Sequence, residues 1–223
     1  MYDFLCEMSS KEEKFNSFSV PLGLLDYVNP ICYCVTMLTI IMNTKDRGQP
    51  YRIIFLIGAV ISIFFGFIIP TGKVIVGLGL IKFRMPVSLV FCVNTGILIS
   101  GTMMIRYVTN MSIWILCLII AVIITLLVLI YLKSKKINTI AVLTGAFGYI
   151  LLYTSLITLS IRKGIIIPII MYAFAILLFV MLCGIGIKAD LKNPKVHWVI
   201  EISNVVCQML VAIATVVLFS GKL

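Results

Sequence analysis

Five polar side chains repeat along one face of the last apolar segment of the sequence. They are His197, Glu201, Asn204, Gln208 and Thr215, at successive spacings of 4, 3, 4 and 7 residues. An α-helix returns to the same face after two turns, so this spacing aligns all five. A carboxylate in line with two amides can bind a proton, an ion or a hydrogen-bonding substrate. Hydrocarbon cannot solvate these groups, so the face must point toward other helices or a water-filled cavity.

The first apolar segment carries a shorter version of the same pattern. Asp26, Asn29 and Tyr33 fall at positions i, i+3 and i+7 of one helical face, and Pro30 lies between them. Proline has no backbone N–H, so it leaves a carbonyl unpaired one turn earlier, near Asp26. A free carbonyl beside a carboxylate and an amide predicts an ion or hydrogen-bond site.

The acidic residues of these two segments are predicted to lie at the same depth in the membrane. Odd-numbered spans begin on the same side, and Asp26 and Glu201 each lie about five residues, or roughly 8 Å, into their helices. Asn94 in the third segment and Tyr149 in the fifth occupy the same half of the membrane. We therefore expect one polar cavity that opens on the N-terminal side. The predicted substrate- or ion-binding residues are Asp26, Asn29, Asn94, Glu201, Asn204 and Gln208, with His197, Tyr33, Tyr149 and Thr215 as secondary candidates.

Each of these residues also has a purely structural interpretation. His197 can extend its ring to the membrane interface. Asn94, Asn204 and Gln208 can join helices through hydrogen bonds. Asp26 can cap the first helix at the interface. Glu201 is the residue that such interpretations explain least well, and its protonation is the event we expect to couple to binding, because a membrane interior disfavours a charged carboxylate.

The amino-acid composition indicates whether the chain folds in water or in a lipid bilayer. Of its 223 residues 62% are apolar and 12% are charged, and the mean hydropathy is +1.20. Soluble domains are close to half apolar and a quarter charged, so this composition requires a bilayer. The net charge of +10 is dispersed over short loops between apolar runs, which fits lipid headgroups and excludes a nucleic-acid partner.

A helix needs about 20 apolar residues to cross the hydrocarbon core, and the sequence contains seven such segments. They predict an all-α helical bundle with no soluble domain, in which a polar N-terminal tail over 1–19 precedes one transmembrane domain over 20–220. The stretch 71–85 is too short to span and predicts an interfacial or re-entrant connection, so the second helix is expected to stop before Pro70. The predicted helices cover 20–44, 51–69, 86–105, 112–132, 137–161, 165–187 and 196–218.

Orientation follows from the basic residues of the loops. Eleven lysines and arginines fall on the side of the N-terminus and seven on the other side. The positive-inside rule then places the N-terminus in the cytoplasm. The abundance of isoleucine, lysine and methionine indicates a bacterial cytoplasmic membrane.

Residues for catalysis or metal binding are sparse. The seven cysteines show no pairing framework, there is one histidine, and no hydrolase, metalloprotease or phosphate-binding motif occurs. We therefore predict no cofactor, no metal and no catalytic residue.

The sequence favours a small transporter or carrier for a small molecule or ion. Two alternatives stay open: a membrane enzyme acting on a lipid or isoprenoid, which predicts His197, Glu201 and Asp26 within a few ångströms, and a sensory or accessory subunit of a larger complex. The expected partners are the bilayer, the ligand, and a membrane partner subunit or a second copy of the chain.

Overall fold

The computed structural model describes residues 19–44, 49–80, 87–134, 137–188 and 194–221. Every regular element in these ranges is an α-helix, which confirms the predicted all-α bundle. The helices are α1 (Val20–Asp26), α2 (Val28–Asn43), α3 (Gln49–Gly77), α4 (Val87–Thr109), α5 (Ile113–Ser134), α6 (Ile137–Lys163), α7 (Ile166–Lys188) and α8 (Pro194–Ser220).

Seven spans of these helices are long and apolar enough to cross a membrane. The first span consists of α1 and α2 together, and each of the others is a single helix. Of the predicted N-terminal tail, all but Ser19 lies outside the described residues. Most helix bounds agree with the predicted ones to within a few residues.

The first span is interrupted at Tyr27. Ser19 begins α1, because its hydroxyl oxygen accepts a hydrogen bond from the Leu22 amide at 3.4 Å. Pro30 cannot donate to the carbonyl of Asp26, and the helix breaks into a turn between these two residues. The break leaves Asp26 at the junction of two helices, well inside the span.

The second span is longer than predicted. We expected it to stop before Pro70, and this is wrong, because α3 runs through Pro70 to Gly77. A proline inside a helix removes one hydrogen bond, here to the carbonyl of Gly66, and transmembrane helices tolerate that loss. The first residues of the predicted connection over 71–85 are therefore helical. A turn follows at 78–80, and 81–85 lie outside the described residues.

The helices pack in two groups. In one group, α4 lies between α3 and α6. In the other, α8 packs against α2 and α7, and α1 contacts both α3 and α8. Helix α5 packs against α6 and otherwise presents its side chains outward, with Trp114 80% exposed. These outward apolar faces suit the hydrocarbon of a bilayer.

Glycines set the spacing of the α3–α4–α6 group. A Cβ atom on Gly58 would lie 2.8 Å from the carbonyl oxygen of Gly96, and one on Gly101 would lie 2.3 Å from that of Gly148. Such distances leave no room for a side chain, so the backbones touch directly. These glycines therefore permit close helix packing.

The end of the bundle where α4, α6 and α8 terminate is held by two cations of α6. Arg162 donates to the carbonyl of Val108, and Lys163 donates to that of Leu218 at 3.2 Å. The Lys163 ammonium also lies 4.7 Å from the centre of the Phe219 ring. Positive side chains stabilise helix C-termini, so they fix α4 and α8 to α6 at this end.

The glycine contacts predict a specific destabilisation. We expect Gly148→Ala to lower stability by about 1–3 kcal/mol, because its methyl group would force α4 and α6 apart. Gly184→Ala is the matched control, since a Cβ atom there meets nothing among the described residues within 4 Å. Thermal unfolding of both variants in detergent micelles would measure this. Equal melting temperatures for the two would contradict the close α4–α6 contact.

Candidate functional site

An ion triad lies inside the bundle where the first, second and seventh spans meet. The Lys73 ammonium on α3 lies 2.7 Å from Oδ2 of Asp26 on α1 and 2.6 Å from Oε1 of Glu201 on α8. Lys73 therefore donates to both carboxylates at once. Three separate spans meet at one nitrogen atom.

Asn29 completes the environment of Asp26. Its side-chain nitrogen donates to Oδ1 of Asp26 at 2.8 Å, so both oxygens of this carboxylate accept hydrogen bonds. The ammonium of Lys73 has three N–H donors, and the two carboxylates use two of them. Asp26 does not cap the first helix, because Ser19 holds that position.

The approach of α1 to the end of α3 brings Asp26 and Lys73 together. Gly23 of α1 is buried, and a Cβ atom there would lie 2.8 Å from the side chain of Val74 and 3.0 Å from its backbone nitrogen. One turn along, the hydroxyls of Tyr27 and Thr71 are hydrogen-bonded at 2.7 Å. These contacts fix α1 to the part of α3 that follows Pro70.

The triad is shielded from water and unequal in charge. The side chains of Lys73, Asp26 and Glu201 are 11%, 9% and 11% exposed. Two ionised carboxylates and one ammonium leave a net charge of −1 in a medium of low dielectric constant, which is unfavourable. One additional cation, or one proton on a carboxylate, makes the site neutral. The arrangement is therefore suited to binding a single positive charge.

Lys73 is the functional residue that the sequence analysis missed. The interpretation of Pro70 as a helix end placed Lys73 in an interfacial connection. Two features of the sequence indicate Lys73. It is the one basic residue between the apolar pairs Ile68–Ile69 and Val74–Ile75. In addition, two acids inside spans require a partner of opposite charge. Extending the helix by one turn past the proline places Lys73 at the depth of both acids.

The structure brings Asp26, Asn29 and Glu201 together and places other predicted residues in separate contacts. Asn94 donates to the carbonyl of Ala141 on α6 at 2.7 Å. The hydroxyl of Thr215 pairs with that of Tyr172 on α7 at 2.9 Å. Both contacts join neighbouring helices.

Along α8, the polar face continues on both sides of Glu201. His197 lies one turn earlier and is half-buried, and Asn204 lies one turn later and is also half-buried. Gln208 is buried two turns after Glu201 and donates to the hydroxyl of Tyr149 at 3.1 Å. The stripe thus faces the interior of the bundle at Glu201 and Gln208, which the sequence analysis required of it.

Metal-binding side chains do not cluster in the described part of the chain. No group of three histidine, cysteine, aspartate or glutamate residues in these ranges could hold a metal ion. The cysteines from Cys32 to Cys207 are free thiols. A cation at the triad would have the carboxylate oxygens of Asp26 and Glu201 as its ligands.

Fold and site together define an α-helical, multi-pass integral membrane protein with an ion triad inside its bundle. Comparison of the chain with protein-family models, with curated proteins and with solved structures finds no match.

The charge balance of the triad predicts unequal effects of its mutations. Lys73→Met leaves two carboxylates side by side without a cation, so we expect a loss of about 3–5 kcal/mol. Glu201→Gln leaves a neutral Asp26–Lys73 pair and an amide oxygen that can still accept from Lys73. Its loss should be about 1 kcal/mol or less.

Thermal unfolding in detergent at neutral pH measures both variants. The triple variant Asp26→Asn, Lys73→Met, Glu201→Gln is the control for lost packing, because it removes the lysine and both acids together. It should be more stable than Lys73→Met alone. If Glu201→Gln destabilised the protein as much as Lys73→Met, the triad would not carry an excess negative charge.

Proposed function

We propose that the protein is a small transporter in which the triad of Asp26, Lys73 and Glu201 binds a proton, or a cation that replaces it, and couples this binding to movement of helices. One observation carries the proposal: a buried ammonium is shared by two carboxylates that lie on different spans. The proposal extends the sequence-based hypothesis by adding Lys73 and by assigning a direction to the coupling.

The helices around the triad divide into two parts. Helix α1 and the segment of α3 from Thr71 to Gly77 are joined through the Gly23–Val74 and Tyr27–Thr71 contacts. We call this unit the gate. It carries Asp26 and Lys73, whereas Glu201 belongs to α8 outside the gate. The Lys73–Glu201 hydrogen bond therefore links the gate to the rest of the bundle.

Both chain connections between the gate and the rest of the bundle contain a backbone irregularity, and α1 also packs against α8. The first span is interrupted at Tyr27, before Pro30, and Pro70 removes the hydrogen bond to Gly66 in α3. These points are neighbours, because a Cβ atom on Gly66 would lie 3.4 Å from the Cβ atom of Pro30. Kinks at proline are the usual hinges of transmembrane helices. The gate can then rotate about one line that passes through both irregularities.

Charge balance couples gate movement to proton binding. When Glu201 is ionised, opening the gate would leave a carboxylate on α8 without its ammonium, in a medium where an unpaired charge is costly. When Glu201 carries a proton, the Asp26–Lys73 pair on the gate and the carboxylic acid on α8 are each neutral. The two parts then separate without exposing an unbalanced charge. In this mechanism the gate opens only after a positive charge has bound.

The triad lies toward one end of the bundle, near one surface of the proposed membrane domain. Lys73 is one turn from the end of α3, and Glu201 is two turns from the start of α8. Under the positive-inside interpretation this is the cytoplasmic side, so we propose that protons or cations exchange with the cytoplasm of a bacterial cell.

One observation favours a lipid-modifying enzyme as the second candidate. An apolar groove of about 630 Å³ follows the outer face of α3 from Val60 to Ile75 and includes Thr71, two residues before Lys73. A lipid chain in this groove would bring its headgroup near the triad, where Glu201 could act as an acid or base. The double pairing of Lys73 favours the transporter, because it occupies the groups that such chemistry would need.

Proton movement in reconstituted vesicles tests the proposed function. The purified protein is inserted into liposomes that contain a pH-sensitive dye, and a membrane potential is imposed with potassium and valinomycin. The probes are the proton and a panel of added cations: sodium, lithium, ammonium and methylammonium. We expect potential- or cation-driven proton movement above that of protein-free liposomes. Glu201→Gln should abolish this movement while it leaves the protein folded.

The matched control is Glu13→Gln, which removes one carboxylate from the polar N-terminal stretch of the sequence. It should transport as the unmodified protein does. If the unmodified protein moved no protons with any of these cations, or if Glu201→Gln moved them at the full rate, the proposed function would be refuted.

Pro70→Ala tests the hinge separately from the triad. Alanine restores the backbone donor and straightens α3, so the gate should rotate less readily. We expect slower proton movement without a loss of thermal stability. An unchanged rate would show that the gate does not turn at Pro70.

A further inference from the structure

Deeper in the bundle, two buried tyrosines carry hydroxyl groups without a direct partner. Tyr33 of α2 is 5% exposed and Tyr153 of α6 is 1% exposed, and neither hydroxyl has a nitrogen or oxygen partner among the described residues within 3.5 Å in hydrogen-bond geometry. Buried polar groups in folded proteins are almost always paired with protein atoms or with water. Two such hydroxyls in one region therefore need an explanation.

The two hydroxyls belong to a common polar layer. The rings of Tyr149 and Tyr153 lie 5.4 Å apart, and Gln208 donates to the Tyr149 hydroxyl. Tyr33 and Tyr153 belong to one buried cluster, and Tyr149 packs against it. We call Tyr33, Tyr149, Tyr153 and Gln208 the tyrosine layer. It gathers side chains from α2, α6 and α8.

Two serines extend this layer toward α3 and α4. Ser62 and Ser100 lie on the side of the Tyr33 hydroxyl, and both donate their protons to backbone carbonyls, Ser62 to Val93 at 3.1 Å and Ser100 to Gly96 at 3.0 Å. Their oxygen atoms keep acceptor capacity. The layer therefore offers both hydrogen-bond donors and acceptors, on side chains from five helices.

The tyrosine layer lies deeper in the membrane than the triad, along the same two spans. Tyr33 follows Asp26 by seven residues on the first span, and Gln208 follows Glu201 by seven residues on α8. Both spans run in the same direction, so each of these residues lies two helical turns, or about 10 Å, deeper in the membrane. Asn204 lies on α8 between the two levels.

We propose that the tyrosine layer binds internal water molecules, which bridge the hydroxyls of Tyr33 and Tyr153 to the side chain of Gln208. Buried waters in proteins typically make about three hydrogen bonds to polar groups, and the hydroxyls of Tyr33 and Tyr153 and the side chain of Gln208 are three such groups. The waters form the next station, by which we mean the next group that carries a proton after it leaves Glu201. Hydration of the layer stands independently, whereas the role as a station rests on the proposed function.

Hydroxyl-radical footprinting with short X-ray pulses tests the hydration of the layer in the unmodified protein. Radicals form where water is bound, so a tyrosine beside internal water is oxidised although bulk solvent cannot reach it. Tyr172 is the matched control, because it is 0% exposed and its hydroxyl pairs directly with Thr215. We expect Tyr33 and Tyr153 to be oxidised several-fold faster than Tyr172. Equal rates for the three tyrosines would overturn the proposal.

Tyr33→Phe tests the role as a station in the proton-flux vesicles. The variant keeps the ring and removes the hydroxyl, so it should remain folded while proton movement falls several-fold. Tyr172→Phe should move protons at the unmodified rate. Fast oxidation of Tyr33 combined with full flux in Tyr33→Phe would refute the station and leave the triad mechanism standing. Loss of flux in Glu201→Gln is the separate test of that mechanism.

Discussion

The pairing of one buried ammonium with two buried carboxylates is the interaction on which this structure depends. Hydrocarbon cannot solvate the charges of Asp26, Lys73 or Glu201, so these buried side chains pair with one another. Their distances of 2.6 and 2.7 Å satisfy this condition. The condition fixes where the first, second and seventh spans must meet. It also makes that meeting sensitive to any added or removed charge, because two carboxylates share one ammonium.

The rest of the bundle is held by contacts of a different kind from those at the triad. Direct backbone contact at Gly58–Gly96 and Gly101–Gly148 holds α3, α4 and α6 together, and the cations of α6 hold the far ends of α4 and α8. Contacts of that kind depend on shape and do not change with protonation. The gate, in contrast, meets α8 both through helix packing and through the Lys73–Glu201 ion pair. Apolar packing therefore supports the scaffold, and electrostatics controls the proposed movement.

The sequence predicted the parts of this arrangement that depend on local pattern. Runs of about 20 apolar residues marked the spans. The helical spacing of Asp26 with Asn29 and of Glu201 with Gln208 marked the faces that turn inward. What the sequence did not reveal depends on tertiary contact. Nothing local says that α3 continues past Pro70, because the lost hydrogen bond is tolerated only where neighbouring helices support the segment. The pairing of Asn94 with Ala141 likewise depends on the closeness of α4 and α6, which Gly145 and Gly148 permit.

Solid-state nuclear magnetic resonance of the protein in lipid bilayers gives the most direct test of the triad. Lysine is labelled with nitrogen-15 at Nζ, aspartate and glutamate are labelled with carbon-13 at the side-chain carboxyl, and dipolar coupling between the two labels is measured. The lysine signal that disappears in Lys73→Met identifies Lys73. The account predicts that this nitrogen couples strongly to two carboxyl carbons, one lost in Asp26→Asn and the other in Glu201→Gln. A Lys73 signal with no carboxyl coupling, or with coupling that neither substitution removes, would contradict it.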